Sequence, residues 1–108
     1  MNVTILCLIE YIDLPSPPED IQLTLSDNDN ATISWSTSQS SDKILYYNVS
    51  IKSYDDVLYE SKTVKQANYV VLHKLKKFIL YQFYIVAIDK FGASKATPIQ
   101  YFILGKTL

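Results

Sequence analysis

Apolar and polar residues alternate along most of this chain, and no long helical period accompanies the alternation. Alternation with a period of two places apolar side chains on one face of a β-strand and polar side chains on the other. The alternating or β-rich segments, separated by polar turns, are residues 21–25, 31–36, 47–51, 57–64, 69–73, 81–88 and 99–104. Seven such segments at a spacing of about 8–12 residues predict an all-β sandwich of seven antiparallel strands.

A proline-rich stretch marks the beginning of the predicted sandwich. Pro15, Pro17 and Pro18 stiffen the backbone directly after an apolar segment. We therefore expect two parts, an apolar N-terminal segment at residues 1–14 and one domain at residues 15–108. The apolar run at residues 3–9 is too short to span a membrane and lacks the basic flank and cleavage site of a signal peptide. Three interpretations remain open for residues 1–14: an extra strand, the remnant of a preceding domain, or a weak signal.

Length and composition narrow the class of protein. A chain of 108 residues has room for one domain with a buried core. A hydrophobic fraction of 48% and nine tyrosines argue against disorder. A formal net charge of −1, with every basic residue a lysine, does not fit a dedicated nucleic-acid binder.

The small net charge hides an asymmetry along the chain. Residues 1–61 hold ten carboxylates and two lysines, whereas residues 62–108 hold eight lysines and one carboxylate. Successive loops of the predicted sandwich alternate between its two poles. We therefore expect one pole to collect Asp27, Asp29, Asp55 and Asp56 with Lys74, Lys76 and Lys77, and the other to collect Asp42, Lys43, Lys65 and Lys90.

Cysteine and asparagine bear on the cellular compartment. Cys7 is the only cysteine, so no intrachain disulfide and no cysteine-based zinc site is possible. Three of the five asparagines, Asn2, Asn30 and Asn48, begin Asn-X-Ser/Thr glycosylation triplets. These triplets favour an extracellular or cell-surface location. The alternative explanation is that the triplets arise by chance, because serine and threonine suit the exposed surface of any β-strand.

Five short motifs, in the right order, resemble the fibronectin type III domain. They are Pro15-Ser16-Pro17-Pro18; Trp35 in Ile33-Ser34-Trp35-Ser36; Tyr47, Val49 and Ile51; Leu75 with Tyr81; and Tyr81, Phe83, Ile85 and Ala87 followed by Gly92 and Ser94. The resemblance covers about residues 15–104 and implies an immunoglobulin-like β-sandwich. It implies structural roles for Trp35, Tyr47, Leu75 and Tyr81, with the Tyr81 hydroxyl bonded to backbone in the preceding turn.

Departures from known patterns argue against integrin binding through Arg-Gly-Asp, against a cytokine-receptor member, and against the related immunoglobulin and cadherin domains. Lys77 and Ile79 stand where the family often has proline and threonine, and the last loop contains no Arg-Gly-Asp. The Trp-Ser-x-Trp-Ser run and paired cysteines of cytokine receptors are missing, as is the Cys…Trp…Cys frame of immunoglobulin domains. The triplet Asn28-Asp29-Asn30 resembles a cadherin motif, but it lies near the wrong end and leaves Trp35 unexplained.

Candidate catalytic and metal-binding residues are sparse. His73 is the only histidine, and a half-solvated residue at the end of a strand explains it better than a zinc ligand. Asp27 and Asp29 resemble the beginning of a calcium loop, but the following glycine and the distal glutamate are missing. The adjacent Asp55 and Asp56 are expected to point apart on a turn and to face water, whereas general acid–base catalysis needs a desolvated carboxyl group. We expect no catalysis, no cofactor, no metal, no small-molecule substrate and no nucleic acid.

One sheet surface is more apolar than a solvated face should be. If Tyr81 and its alternate residues point inward, Tyr84, Val86 and Ile88 point outward. The resemblance implies that the third and sixth strands are neighbours in one sheet, so that Tyr46 lies beside these residues. An exposed apolar patch of this kind predicts a protein-binding surface. The alternative is that residues 3–12 cover part of it, and a glycan on Asn48 would narrow it.

Two loops hold further candidates. Phe91, beside Gly92, is either a binding anchor or a residue that packs on its own loop. Lys74, Lys76 and Lys77 form either a weak site for heparin or another acidic partner, or a solvated turn.

The resemblance implies a non-catalytic extracellular module of a receptor or adhesion protein that serves as a spacer and a protein–protein interaction domain. Its partner would be another protein or a neighbouring domain, with membrane contact only through the parent protein. The alternative is a structural spacer in an intracellular regulator or a carbohydrate-active enzyme.

Overall fold

The computed structural model describes residues 14–37, 43–55 and 58–105, and within them it contains two antiparallel β-sheets. The strands are β1 (Glu19–Leu25), β2 (Ala31–Ser36), β3 (Tyr46–Ser53), β4 (Tyr59–Val64), β5 (Tyr69–Leu72), β6 (Leu80–Asp89), β7 (Gly92–Ala93) and β8 (Gln100–Ile103). One sheet has the order β1-β2-β5, and the other has the order β4-β3-β6-β7, with β8 also paired to β6. The predicted all-β sandwich is confirmed.

The eight strands correspond to the seven predicted ones because the last strand is interrupted. Both β7 and β8 pair with β6, β7 near the end of that strand and β8 near its beginning. Between them, the hydroxyls of Ser94 and Thr97 accept hydrogen bonds from the N–H groups of Ala87 and Ile85, each at 2.9 Å. Side chains thus replace part of the ladder immediately before Pro98, which has no N–H to donate.

Alternation explains where the core lies. Along β2, β3 and β6 every second residue is buried, and the residues between are half-buried. The inward residues of these three strands are Ala31, Ile33, Trp35, Tyr47, Val49, Ile51, Ser53, Tyr81, Phe83, Ile85 and Ala87. Leu75 is also buried, and the rings of Trp35 and Tyr47 meet edge-on with centroids 5.2 Å apart. Every residue of β2, β3 and β6 that the alternation predicts to face inward is buried in the structure.

Two predictions about the smaller sheet need correction. Leu25 was expected to share the covered side of β1 with Ile21 and Leu23, but its side chain is 43% exposed, whereas the other two are half-buried. The reason is its position as the last residue of an edge strand, where β2 covers only one flank. The fifth strand ends at Leu72, one residue earlier than predicted, so His73 belongs to the following turn.

Candidate protein-binding surface

The outward face of the larger sheet contains the apolar residues singled out in the sequence. Register places Tyr46 opposite Ile88, Asn48 opposite Val86 and Ser50 opposite Tyr84, all turned away from the core. We call Tyr46, Tyr84, Val86 and Ile88 the outer-face patch. Each of the four is half-buried, because neighbours on a sheet cover the flanks of a side chain even where its tip meets solvent. The structure therefore brings the four residues together on one surface.

A second group of aromatic residues lies on the same face and was missed from sequence. Tyr59 is opposite Lys52 on β3, Lys52 is opposite Gln82 on β6, and Gln82 is opposite Tyr101 on β8. One row thus crosses four strands, with Tyr59 75% exposed at one end and Tyr101 52% exposed at the other. Neither segment alternates cleanly, because Glu60 and Lys62 on the inner side of β4 are charged and residues 101–104 are apolar throughout. The sequence pattern therefore does not reveal this row.

Tyr54 extends this row beyond the end of β3. Its ring meets that of Tyr101 edge-on, with centroids 6.2 Å apart. A hydrogen bond with the Tyr101 side chain raises the pKa of the Tyr54 hydroxyl above its usual value of 10.0. We call Tyr54, Tyr59 and Tyr101 the tyrosine row. Aromatic residues of this kind are enriched where proteins bind one another.

Asn48 lies within the outer-face patch. It faces outward from the middle of β3, between Thr63 on β4 and Val86 on β6. The Thr63 hydroxyl donates a hydrogen bond to the Asn48 Oδ1, at 3.2 Å. Asn30 lies elsewhere, in the turn before β2, where its carbonyl accepts hydrogen bonds from Ser26. The third candidate acceptor, Asn2, falls outside the described residues.

Phe91 lies at the tip of the turn between β6 and β7, beyond the outer-face patch. Its side chain is 57% exposed, and the Lys90 ammonium sits 5.1 Å from the ring centroid. Asp89 shapes this turn by accepting hydrogen bonds from the N–H groups of Phe91 and Gly92. A hollow of about 370 Å³ lies among Lys43, Leu45 and these turn residues.

The opposite pole collects acidic and basic loops together. Lys74, Lys76 and Lys77 are exposed on the turn between β5 and β6. Lys77 pairs with Asp29 from the β1–β2 turn at 3.9 Å, and Asp55 shares the lining of a cavity of about 330 Å³ with the other two lysines. This is the mixing of charges that loop alternation predicts, and it offsets the lysine charge an acidic partner would need. Asp42 and Asp56 lie outside the described residues.

The turn that precedes β6 is held from several sides. The Tyr81 hydroxyl accepts a hydrogen bond from the Lys76 N–H at 2.7 Å, which is the contact that the resemblance implies. Leu75 donates its N–H to the Asp29 carbonyl, and Phe78 donates its N–H to the Leu104 carbonyl. Phe78 is 71% exposed and has a φ of 65°, a feature that the sequence interpretation missed.

The described ranges contain little that suggests other chemistry. No group of three His, Cys, Asp or Glu residues in these ranges is arranged to hold a metal ion. His73 lines the 330 Å³ cavity with an exposed side chain. Within the same ranges, no helix has the length and apolar character needed to cross a membrane.

Comparison with solved structures identifies the fold. The chain matches the fibronectin type III domain of the human collagen alpha-1(XX) chain at a TM-score of 0.72 and 22% identity, covering 84% of this chain and 86% of that one. A myokine structure matches at 0.70 and 19% identity, with 82% and 96% covered. The twitchin kinase region from C. elegans matches at 0.69 and 17% identity over 85% of this chain, but only 17% of that one is spanned.

Comparison of sequences adds the family. No curated protein matches the chain. The family model of the fibronectin type III domain matches residues 16–101, which include every described strand except part of β8. The chain therefore belongs to the fibronectin type III family.

Proposed function

We propose that this domain is a non-catalytic extracellular module of a receptor or adhesion protein, and that it binds a partner protein through the outward face of its larger sheet. Fibronectin type III domains generally serve as linkers or protein-interaction modules within multidomain proteins. The observation that carries the proposal is the outer-face patch, which continues along the sheet into the exposed tyrosine row.

The chemistry of this face suits a protein partner. Tyrosine offers a large, rigid contact area with a hydroxyl that can hydrogen-bond, so it often provides interface hot spots. Polar side chains, including Ser50, Lys52 and Gln82, lie between the aromatic residues and supply the hydrogen-bonding groups that a typical interface also contains. The sequons at Asn30 and Asn48 support the extracellular part of the proposal.

A binding experiment tests the surface. A fluorescent, multivalent form of the full chain, made in bacteria so that Asn48 has no glycan, is applied to cultured cells, and bound fluorescence is compared among single variants. We expect Tyr84→Ser and Tyr59→Ser to reduce binding at least tenfold. Tyr69→Ser is the matched control, because Tyr69 is 54% exposed on the other sheet. Binding that Tyr84→Ser and Tyr59→Ser leave unchanged, or that Tyr69→Ser reduces by the same factor, would contradict the surface assignment.

A secretion experiment tests the compartment. The chain is expressed behind a secretion signal in eukaryotic cells, and its mass is measured with and without glycosidase. Efficient secretion with glycans supports the extracellular module. Failure to secrete supports the alternative, a spacer in an intracellular regulator or a carbohydrate-active enzyme; the resemblance to the twitchin kinase region gives that alternative its precedent.

A further inference from the structure

We propose that Asn48 is an N-glycosylation site whose first N-acetylglucosamine packs on the outer-face patch, so that its occupancy decides whether the patch is open to a protein. This inference rests on the proposed extracellular location. It starts from an unusual combination in the structure. A glycosylation triplet begins on a central strand, and the apolar patch lies beside it on the β6 side.

Register defines what the sugar would meet. Val86 is directly opposite Asn48, and Tyr84 and Ile88 are its diagonal neighbours on β6. Directly opposite residues have Cβ atoms about 4.5–5.5 Å apart, and diagonal neighbours lie at about 7–8 Å. A sugar ring joined to the Asn48 side chain is therefore within reach of three apolar side chains on one neighbouring strand.

The Asn48 side chain is oriented for this attachment. Its Oδ1 accepts the hydrogen bond from the Thr63 hydroxyl, whereas the sugar is joined to Nδ2. The attachment converts the amide to a secondary amide and leaves Oδ1 able to accept, so the Thr63 hydrogen bond is compatible with glycosylation. That bond fixes the side chain from the β4 side and directs Nδ2 away from Thr63.

The sugar and the patch are chemically matched. N-acetylglucosamine has a face of C–H groups and an acetamido methyl, both of which gain free energy when apolar contacts remove them from water. Tyr84 supplies an aromatic ring, and Val86 and Ile88 supply branched aliphatic groups. Covering these side chains with the sugar would reduce the apolar surface that a sheet face otherwise presents to solvent.

The rest of the outward face lies too far from Asn48 for the first sugar to cover it. Gln82, in the row of Tyr59 and Tyr101, lies four residues along β6 from Val86. At about 3.3 Å per residue this separation is roughly 13 Å, which is beyond the reach of one sugar ring. The first sugar on Asn48 therefore covers the outer-face patch and does not reach the tyrosine row.

The test compares three forms of the full chain in a background with Asn2→Gln and Asn30→Gln, so that Asn48 is the remaining acceptor. The forms are bare chain from bacteria, secreted chain with high-mannose glycan, and secreted chain trimmed to one N-acetylglucosamine by endoglycosidase H. Peptide mass gives the occupancy of Asn48. We expect the trimmed form to melt at least about 3 °C above the bare chain, a shift within the range that one favourable contact produces in a domain of this size.

Two variants on this face locate the contact. Tyr84→Ser should abolish most of the difference in melting temperature between the trimmed and bare forms. Tyr101→Ser should leave that difference intact. Equal melting of the two forms, or equal effects of the two variants, would overturn the inference.

Occupancy separates failure of this inference from failure of the proposed function. A secreted chain with all three sequons restored that has glycan on Asn30 and none on Asn48 overturns the inference alone. A chain that is not secreted and has no glycan on any sequon overturns the extracellular assignment and this inference together.

Discussion

Phe78 combines an unfavourable backbone conformation with a side chain that contributes little packing. Its φ of 65° lies in the left-handed region, which costs a residue other than glycine roughly 1–2 kcal/mol. Asparagine tolerates this region better, and 71% exposure means that removing the ring loses few contacts. We expect Phe78→Asn to raise the free energy of unfolding by about 0.5–1 kcal/mol, measured by urea denaturation with Trp35 fluorescence.

The control for Phe78 is at the opposite pole. Phe91 is similarly exposed but is not among the residues of positive φ. Phe91→Asn should therefore give no stabilisation. A gain of equal size in both variants would show that relief of the left-handed backbone is not the cause.

The hydroxyl of Tyr81 should matter more than that of Tyr84, three residues along the same strand. Tyr81 is buried, and its hydroxyl is the acceptor for the Lys76 N–H. Tyr81→Phe leaves this N–H without its acceptor, and we expect the free energy of unfolding to fall by about 1–3 kcal/mol. Tyr84→Phe, on the outward face, should change it by less than about 0.5 kcal/mol. Equal losses in urea denaturation would contradict the role assigned to the Tyr81 hydroxyl.

The position of a single residue can be predicted from sequence when the interactions that determine it are local in the chain. The inward positions of β2, β3 and β6 follow from a backbone period of two, so alternation assigns Trp35, Val49 and Phe83 to the core. The backbone of Phe78, in contrast, takes part in a contact between residues far apart in the sequence. Its N–H donates a hydrogen bond to the carbonyl of Leu104, which directly follows β8, and no short sequence window contains both residues.

Among the elements, the edge strands show how the sandwich avoids pairing with other copies. Glu60 and Lys62 on β4 lie opposite Ile51 and Val49, so their side chains turn toward the inner side of the sheet, where they pair at 3.5 Å. Inward-pointing charges on an edge strand oppose the addition of a further strand. The edge strand β1 has a register irregularity between Glu19 and Gln22. A bulge of this kind interrupts the regular edge with which another strand would pair.

Removing these inward charges should make the chain self-associate. The double variant Glu60→Val, Lys62→Val gives β4 an apolar inner face and an unguarded edge. We expect dimers and larger species in sedimentation velocity at concentrations where the parent is monomeric. Ser61→Val adds an apolar residue to the same strand but leaves both charges in place, and it should not associate. A monomeric double variant would show that other features protect this edge.

The interrupted last strand depends on two hydroxyls. Thr97 is buried, and its Oγ1 accepts the hydrogen bond of the Ile85 N–H. Thr97→Val keeps the shape but leaves that buried N–H unpaired, so the free energy of unfolding should fall by about 1–3 kcal/mol. Thr97→Ser retains the hydroxyl and should lose less. Equal losses for both variants in urea denaturation would assign the effect to packing instead.

This interruption also shows where prediction of elements from sequence stops. Residues 99–104 were predicted as the last strand, and β8 lies there. The short β7 was not predicted, because two residues give no detectable alternation. The Thr97-Pro98 pair was the available signal for a break, since proline has no N–H for a ladder. The hydrogen bonds that the Ser94 and Thr97 hydroxyls accept from β6 depend on tertiary contact, so no local sequence pattern predicts them.

At the scale of the whole molecule, topology converts the charge asymmetry of the sequence into local neutrality. The acidic first part and the basic second part supply loops to the same pole, where Asp29 pairs with Lys77 and where Asp55 and Lys74 line the same cavity. Loop alternation in a predicted sandwich anticipates this pole, whereas the pairing that it predicts at the other pole depends on Asp42, which lies outside the described residues. It could not reveal the tyrosine row, because that row requires the register of β4 and β8 against their neighbours.

The Asp29–Lys77 pair allows a quantitative test of this neutrality. Its two side chains are 43% and 54% exposed, so water and salt screen their attraction and the pair should add little to stability. In a double-mutant cycle of Asp29→Asn and Lys77→Gln, we expect a coupling of about 0.2–1 kcal/mol at low salt that shrinks toward zero at 0.5 M NaCl. A coupling above about 2 kcal/mol that persists in salt would mean that this pole holds the domain together. A weak coupling instead makes the mixed charges a solvated pole and leaves the outward sheet face as the surface on which binding depends.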